Sequence, residues 1–231
     1  MRGPLLALRR LAIKLLPRAI VGTVSNYKTL SLRYGQFRTI REWRCVDRDG
    51  APLPWYTYPA IEYLKQFDMS AKRVFEYGSG YSTLFWAQRC RAVVAVESDA
   101  AWYRRIGARL PPNVTYHYRP ERETYVGAIE EDPEPFDIIV IDGVHRNACA
   151  RAALRKLAPD GLIILDNGDW HEQTAALLRS ADLIEVDMTG FGPINPYVWT
   201  TSLFLSRQLR LVPATGRQPL HGVGALLYNE E

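Results

Sequence analysis

From Lys72 onward, short apolar runs and helical spacings take turns along the chain. The runs Arg73–Tyr77, Ala92–Glu97, Val114–Tyr118, Asp137–Asp142, Leu162–Asp166 and Leu183–Asp187 are rich in β-branched and aromatic residues and predict strands. Residues 82–90, 99–109, 146–158 and 171–180 carry helical spacing between them. Ile138-Ile139-Val140-Ile141 and Leu162-Ile163-Ile164-Leu165 have no polar interruption, as expected of strands buried on both faces, hence parallel and covered by helices. Val198–Ser206 is also β-rich, but no clear crossover helix leads to it, so it is expected to pair antiparallel. Ahead of the first strand, residues 60–67 predict a helix, whereas 25–58 read as irregular. Residues 119–135 read as a solvated loop around a weak helix. The fold class that follows is α/β: a doubly wound, mostly parallel sheet with helices on both faces.

Composition sharpens this. With 231 residues, 47% of them apolar, the chain can bury one substantial core, and no apolar run approaches the ~18 residues of a membrane span. The expected organisation is a basic N-terminal arm (1–57), a nucleotide-binding domain (58–206) and a C-terminal tail (207–231). The net charge of +4 conceals an asymmetry, because residues 1–50 hold eleven lysines and arginines against three acidic residues. The remainder is mildly acidic, so no specific nucleic-acid partner is expected. Three scattered cysteines without a CxxC pair suit a reducing, cytoplasmic location. Arginines interrupt the leucines of residues 1–20, which therefore do not read as a secretory signal. Such a segment packs loosely on its own domain or, as the alternative, touches the inner face of an anionic membrane peripherally.

The candidate chemistry clusters at strand ends. Glu76-Tyr77-Gly78-Ser79-Gly80 closes the first strand, and Ser82 can cap the helix that follows. Glycines there permit a tight turn or the close approach of a ligand, so Glu76, Gly78, Ser79, Gly80 and Ser82 form a candidate nucleotide site. Glu97 ends the second strand, where a carboxylate can accept both hydroxyls of a ribose. The fourth strand ends at Asp142 and the fifth at Asp166-Asn167, three oxygen donors of the type that holds a partly hydrated Mg²⁺ or similar cation. His145 lies three residues beyond Asp142 and is the candidate base, with Asp142 beside it and also a candidate cofactor contact. Trp102 reads as core.

With these residues in view, residues 58–206 resemble the class I S-adenosylmethionine-dependent methyltransferases. EYGSGYSTL, IDGVH and LDN are similar to the branch that contains small-molecule O-methyltransferases. The resemblance implies a seven-stranded sheet whose last strand is antiparallel. It also implies S-adenosylmethionine as cofactor, with its methionine part over Glu76–Gly80 and its ribose held by Glu97. The acceptor it implies is a small molecule. Some members bind a divalent cation through residues matching Asp142, Asp166 and Asn167. Where those members commonly have a lysine, this chain has His145. A nicotinamide dehydrogenase fits less well, because the third glycine of G-x-G-x-x-G falls at Thr83. A domain that keeps the cofactor but only binds a partner or membrane stays open as the non-catalytic alternative. The oligomeric state has no signature in the sequence.

Overall fold

In the computed structural model, which describes residues 16–226, the apolar runs become seven strands. They are β1 (Arg73–Tyr77), β2 (Ala92–Glu97), β3 (Val114–Tyr118), β4 (Phe136–Ile141), β5 (Leu157–Leu165), β6 (Ile184–Gly190) and β7 (Trp199–Leu205). One sheet joins them in the order β3-β2-β1-β4-β5-β7-β6. β1 to β5 pair in parallel, while β7 is antiparallel to both β5 and β6, as the late segment suggested. The helices are α1 (Arg18–Lys28), α2 (Gln36–Glu42), α3 (Tyr58–Leu64), α4 (Tyr81–Ala87), α5 (Ala100–Gly107), α6 (Arg122–Gly127), α7 (Arg146–Lys156) and α8 (Glu172–Arg179).

The uninterrupted apolar strands have a direct structural consequence. Alternate residues of a strand point to opposite faces, so such a strand needs cover on both. Val74, Ile138, Val140, Leu162 and Ile164 pack on one side with Ile61 and Leu64 of α3 and with Phe85 and Trp86 of α4. Phe75, Ile139, Ile141, Ile163 and Leu165 pack on the other with Tyr125, Cys149, Ala153 and Leu178 from α6, α7 and α8. β1 lies between β2 and β4, so the chain reverses direction of travel across the sheet there. An open α/β sheet has its ligand crevice outside the carboxyl ends at such a point.

Three expectations need correction. Residues 25–42 are not irregular, although 43–57 are: α1 runs into a π-helical turn, Thr29–Arg33, and then α2. These pieces are short and end at left-handed residues (Gly35, Trp43), so little periodic pattern could show. Residues 119–135 are not merely solvated, because Tyr125, Ala128 and Ile129 are buried against β1 and β4. β4 ends one residue early, at Ile141, which leaves Asp142 on the loop above the sheet; β5 starts earlier and β6 ends later than the apolar runs indicate.

The segments around the sheet are tied to it. Gln36 Nε2 donates to the Gly192 carbonyl at 3.0 Å, the Tyr58 amide to that of Phe191 at 2.7 Å, and Thr39 to that of Pro193. The Asp68 amide donates to the Val212 carbonyl at 2.8 Å and Ala214 to Gln66, which straps the tail beside α3. Of the segment 1–20, residues 1–15 lie outside the described part; α1 buries none of its side chains. Among the described residues no helix is long and apolar enough to cross a membrane, and Cys45, Cys90 and Cys149 are buried and unpaired.

Candidate active site

The turn after β1 is shaped by Gly78. Its φ is +93°, a region that L side chains rarely adopt, and a Cβ would lie 3.0 Å from the Asp142 carbonyl oxygen. Its amide donates to the Val96 carbonyl of β2 at 3.0 Å, while Asp142 donates to the Tyr77 carbonyl. The ends of β1, β2 and β4 are thereby drawn together. Gly80 is different, since an added Cβ would meet nothing closer than 3.8 Å. Internal packing does not demand a glycine there.

Glu76 lies beneath this turn with 1% exposure. Its Oε2 accepts from Thr83 Oγ1 at 2.5 Å, and the same oxygen of Thr83 accepts the Gly80 amide at 3.0 Å. Oε1 has no partner. Burial lifts the Glu76 carboxyl to about 8; bonds from Ser82 and Thr83 oppose the shift, and the charges of Asp142 and Glu97 add to it. A buried carboxylate with an orphaned oxygen is the counterpart of a cationic group such as an ammonium.

Glu97 closes the far wall. Oε1 accepts the Ser98 and Asp99 amides at 2.8 and 2.9 Å, and Oε2 accepts Ser79 Oγ at 2.8 Å. Ser79 Oγ in turn contacts the Tyr116 hydroxyl at 2.6 Å. A carboxylate has about four lone-pair sites, so this one is oriented while retaining capacity to accept from a ligand. Gly78, Ser79, Glu97, Trp102, Asp142 and Asp166 line one cleft of about 510 Å³. It opens at the reversal between β1 and β4, outside the carboxyl ends of the strands, where open α/β sheets place their ligands.

Residues 75–168 match a family model described as a methyltransferase domain. That stretch is similar to methyltransferase domains, and the strand order around it is that of the Rossmann-like methyltransferase fold. Two of the solved structures that share that fold are O-methyltransferases by their descriptions. One is the O-methyltransferase TomG of Streptomyces achromogenes, from tomaymycin synthesis and in complex with S-adenosylmethionine. It is 16% identical, with 78% of this chain and 89% of that one covered at a TM-score of 0.53. The other is a candidate O-methyltransferase of Klebsiella pneumoniae, 21% identical, covering 80% and 96% at 0.53. No curated protein sequence matches this chain.

The fold brings some of the sequence-derived residues together and separates others. Gly78, Ser79, Glu97, Asp142, Asp166 and Asn167 share the cleft. Ser82 does not face it and does not cap the helix, which begins at Tyr81; the Gly80 amide bonds Thr83 instead. His145 lines an adjoining groove with Arg122 and His171. It sits at φ +55°, with its ring edge-on to Tyr125, which lines the cleft. Trp102, expected in the core, stands in the cleft wall and donates its indole N–H to the Ser79 carbonyl at 2.7 Å.

The expected cation fits poorly. Arg146, on the first turn of α7, donates from Nη2 to Asp142 Oδ1 at 3.1 Å and from Nη1 to Asn167 Oδ1 at 3.2 Å and to the Asp166 carbonyl. Asp166 Oδ1 is turned into the core, where it accepts Thr201 Oγ1 at 2.6 Å and Trp199 Nε1 at 3.1 Å. A divalent ion within ~4 Å of the guanidinium would meet roughly 8 kcal/mol of repulsion at an effective dielectric of ~20. Among the described residues no group of three or more histidine, cysteine, aspartate or glutamate side chains could hold a metal ion. Burial holds both carboxyls above the usual carboxylate range, Arg146 opposes the shift at each, and Asp142 raises Asp166 further.

Proposed function

We propose that this domain holds S-adenosylmethionine between the Gly78–Gly80 turn and Glu97 and methylates an oxygen of a small-molecule acceptor. The observation that carries the reading is a pair of unsaturated carboxylates around one turn, Glu76 beneath it at the end of β1 and Glu97 reaching it from the end of β2. Glu76 has an orphaned oxygen suited to the ammonium of the methionine part, and Glu97 is oriented by Ser79 and two amides for the ribose hydroxyls. Bound there, the cofactor supplies a methyl group on a positively charged sulfur, already activated for in-line displacement. What the chain must add is alignment of the acceptor and removal of its hydroxyl proton. Asp142 is the group placed to take that proton. It lines the cleft, its side chain keeps 22% exposure, and burial makes it more basic than an ordinary carboxylate. His145 is the second acid–base candidate; it borders the neighbouring groove and would act on an acceptor reaching past Tyr125.

The test is transfer of labelled methyl from S-adenosylmethionine to hydroxylated small molecules. Asp142→Asn is expected to lower turnover by about 10²–10⁴-fold, the usual contribution of a general base, and His145→Ala by much less. Near-normal turnover in Asp142→Asn would remove Asp142 from the mechanism. Turnover is expected to rise with pH over a range displaced upward from ordinary carboxylates, since only the ionised form accepts a proton.

For the N-terminal segment we infer a peripheral contact with an anionic membrane. Ile20, Val24 and Tyr27 share one face of α1 at helical spacing, and all are 46% exposed or more. Residues 16–44 carry six basic side chains against Glu42 alone. An apolar stripe in a strongly basic segment suits an anionic lipid surface.

A further inference from the structure

Arg146 makes an unusually complete set of bonds for a residue at the mouth of a cleft. A guanidinium has five N–H groups, and four are engaged. Nε donates to the Gly143 carbonyl at 3.0 Å, Nη2 to Asp142 Oδ1, and Nη1 to both the Asp166 carbonyl and Asn167 Oδ1. These acceptors belong to the loop after β4 and the loop after β5. They include side-chain oxygens of Asp142 and Asn167, two of the three residues that would ligate a divalent cation. The third, Asp166, directs Oδ1 to Thr201 and Trp199. The Arg146 side chain is only 12% exposed, and its position at the start of α7 puts it one turn beyond Asp142.

We propose that Arg146 is a built-in replacement for the cation: a positioning residue whose fixed positive charge ties the two loops together, so that methyl transfer on this chain is metal-independent. Magnesium and manganese need several oxygen lone pairs free at close range; here Asp142 Oδ1 and Asn167 Oδ1 are committed to a guanidinium, which is always charged, and Asp166 Oδ1 to Thr201 and Trp199. The inference rests on the methyltransferase reading, but it fails separately from it.

The experiment uses the full chain loaded with S-adenosylhomocysteine, with Mn²⁺ as an electron paramagnetic resonance probe. Wild-type protein is expected to leave the free-ion Mn²⁺ spectrum unchanged and to bind S-adenosylhomocysteine equally with and without EDTA. Arg146→Met uncovers the oxygen set and is expected to take up Mn²⁺ about tenfold or more tighter than wild type, a gain that added Asp142→Asn removes. Stoichiometric Mn²⁺ on the wild type, lost in Asp142→Asn, would overturn the proposal. So would an Arg146→Met protein that still binds S-adenosylhomocysteine yet takes up no Mn²⁺. Should that variant fail to fold, the wild-type arm alone decides. Absence of S-adenosylhomocysteine binding by the wild type would instead remove the methyltransferase reading and leave the Mn²⁺ result standing.

Discussion

One oxygen of Glu76 is bonded to Thr83 and the other to nothing, inside the core, and this has consequences for stability as well as for binding. Its folded-state value of about 8 lies above the ordinary 4.5, so between those limits the native state holds a proton that the unfolded chain has released. The unliganded protein should therefore lose stability as pH rises from ~4.5 through ~8, by up to about 1.4 kcal/mol per pH unit from this group. Glu76→Gln, which mimics the protonated form, should flatten that slope in melting curves taken across the range. It should also weaken S-adenosylhomocysteine, because the ammonium loses its counter-charge. An unchanged slope in Glu76→Gln would show that the orphaned oxygen is not the titrating group. At this scale the sequence was legible where a residue type and a strand end coincide, as at Glu76, Gly78 and Glu97. It was opaque where role depends on side-chain direction. Nothing in the letters says that Trp102 leans out to Ser79, or that Arg146, four residues after Asp142, rather than His145, three after, points back at it.

The turn between β1 and α4 separates two reasons for a glycine. Gly78→Ala forces a side chain into a left-handed conformation against the Asp142 backbone, and should destabilise the fold by about 1–3 kcal/mol. Gly80→Ala meets no close neighbour in the chain. Thermal melts should find it near wild type, while calorimetry finds weaker S-adenosylhomocysteine if the cofactor lies against that backbone. Equal losses of stability in both variants would contradict this division. The elements of the sheet were readable because β1, β2 and β3 are bounded by turn-forming residues and their apolar runs coincide with the paired register. The short helices α1 and α2 were not readable. Their apolar side chains are exposed or half-buried, so burial imposes little period on the sequence. α6 was obscured by an acidic neighbourhood, although Tyr125 and Ile129 reach the core.

The whole molecule joins its N-terminal segment to the cleft. α2 is pinned through Gln36 and Thr39 to Gly192 and Pro193, and the same loop supplies Asn195 and Tyr197 to the cleft lining. The exposed apolar side chains of α1 precede this pinned helix in the chain. Vesicles rich in anionic lipid should co-sediment with the full chain, zwitterionic vesicles should not, and Ile20→Asp with Val24→Asp should abolish the effect. Equal sedimentation of that double variant would remove the membrane contact. The central claim, however, concerns the cofactor, and isothermal titration with S-adenosylhomocysteine reaches it most directly. Wild-type protein should bind one equivalent, and Glu97→Ala should bind about 10–100-fold more weakly, the loss expected for hydrogen bonds to a charged acceptor. No binding by the folded wild type, or equal binding by Glu97→Ala, would contradict the account.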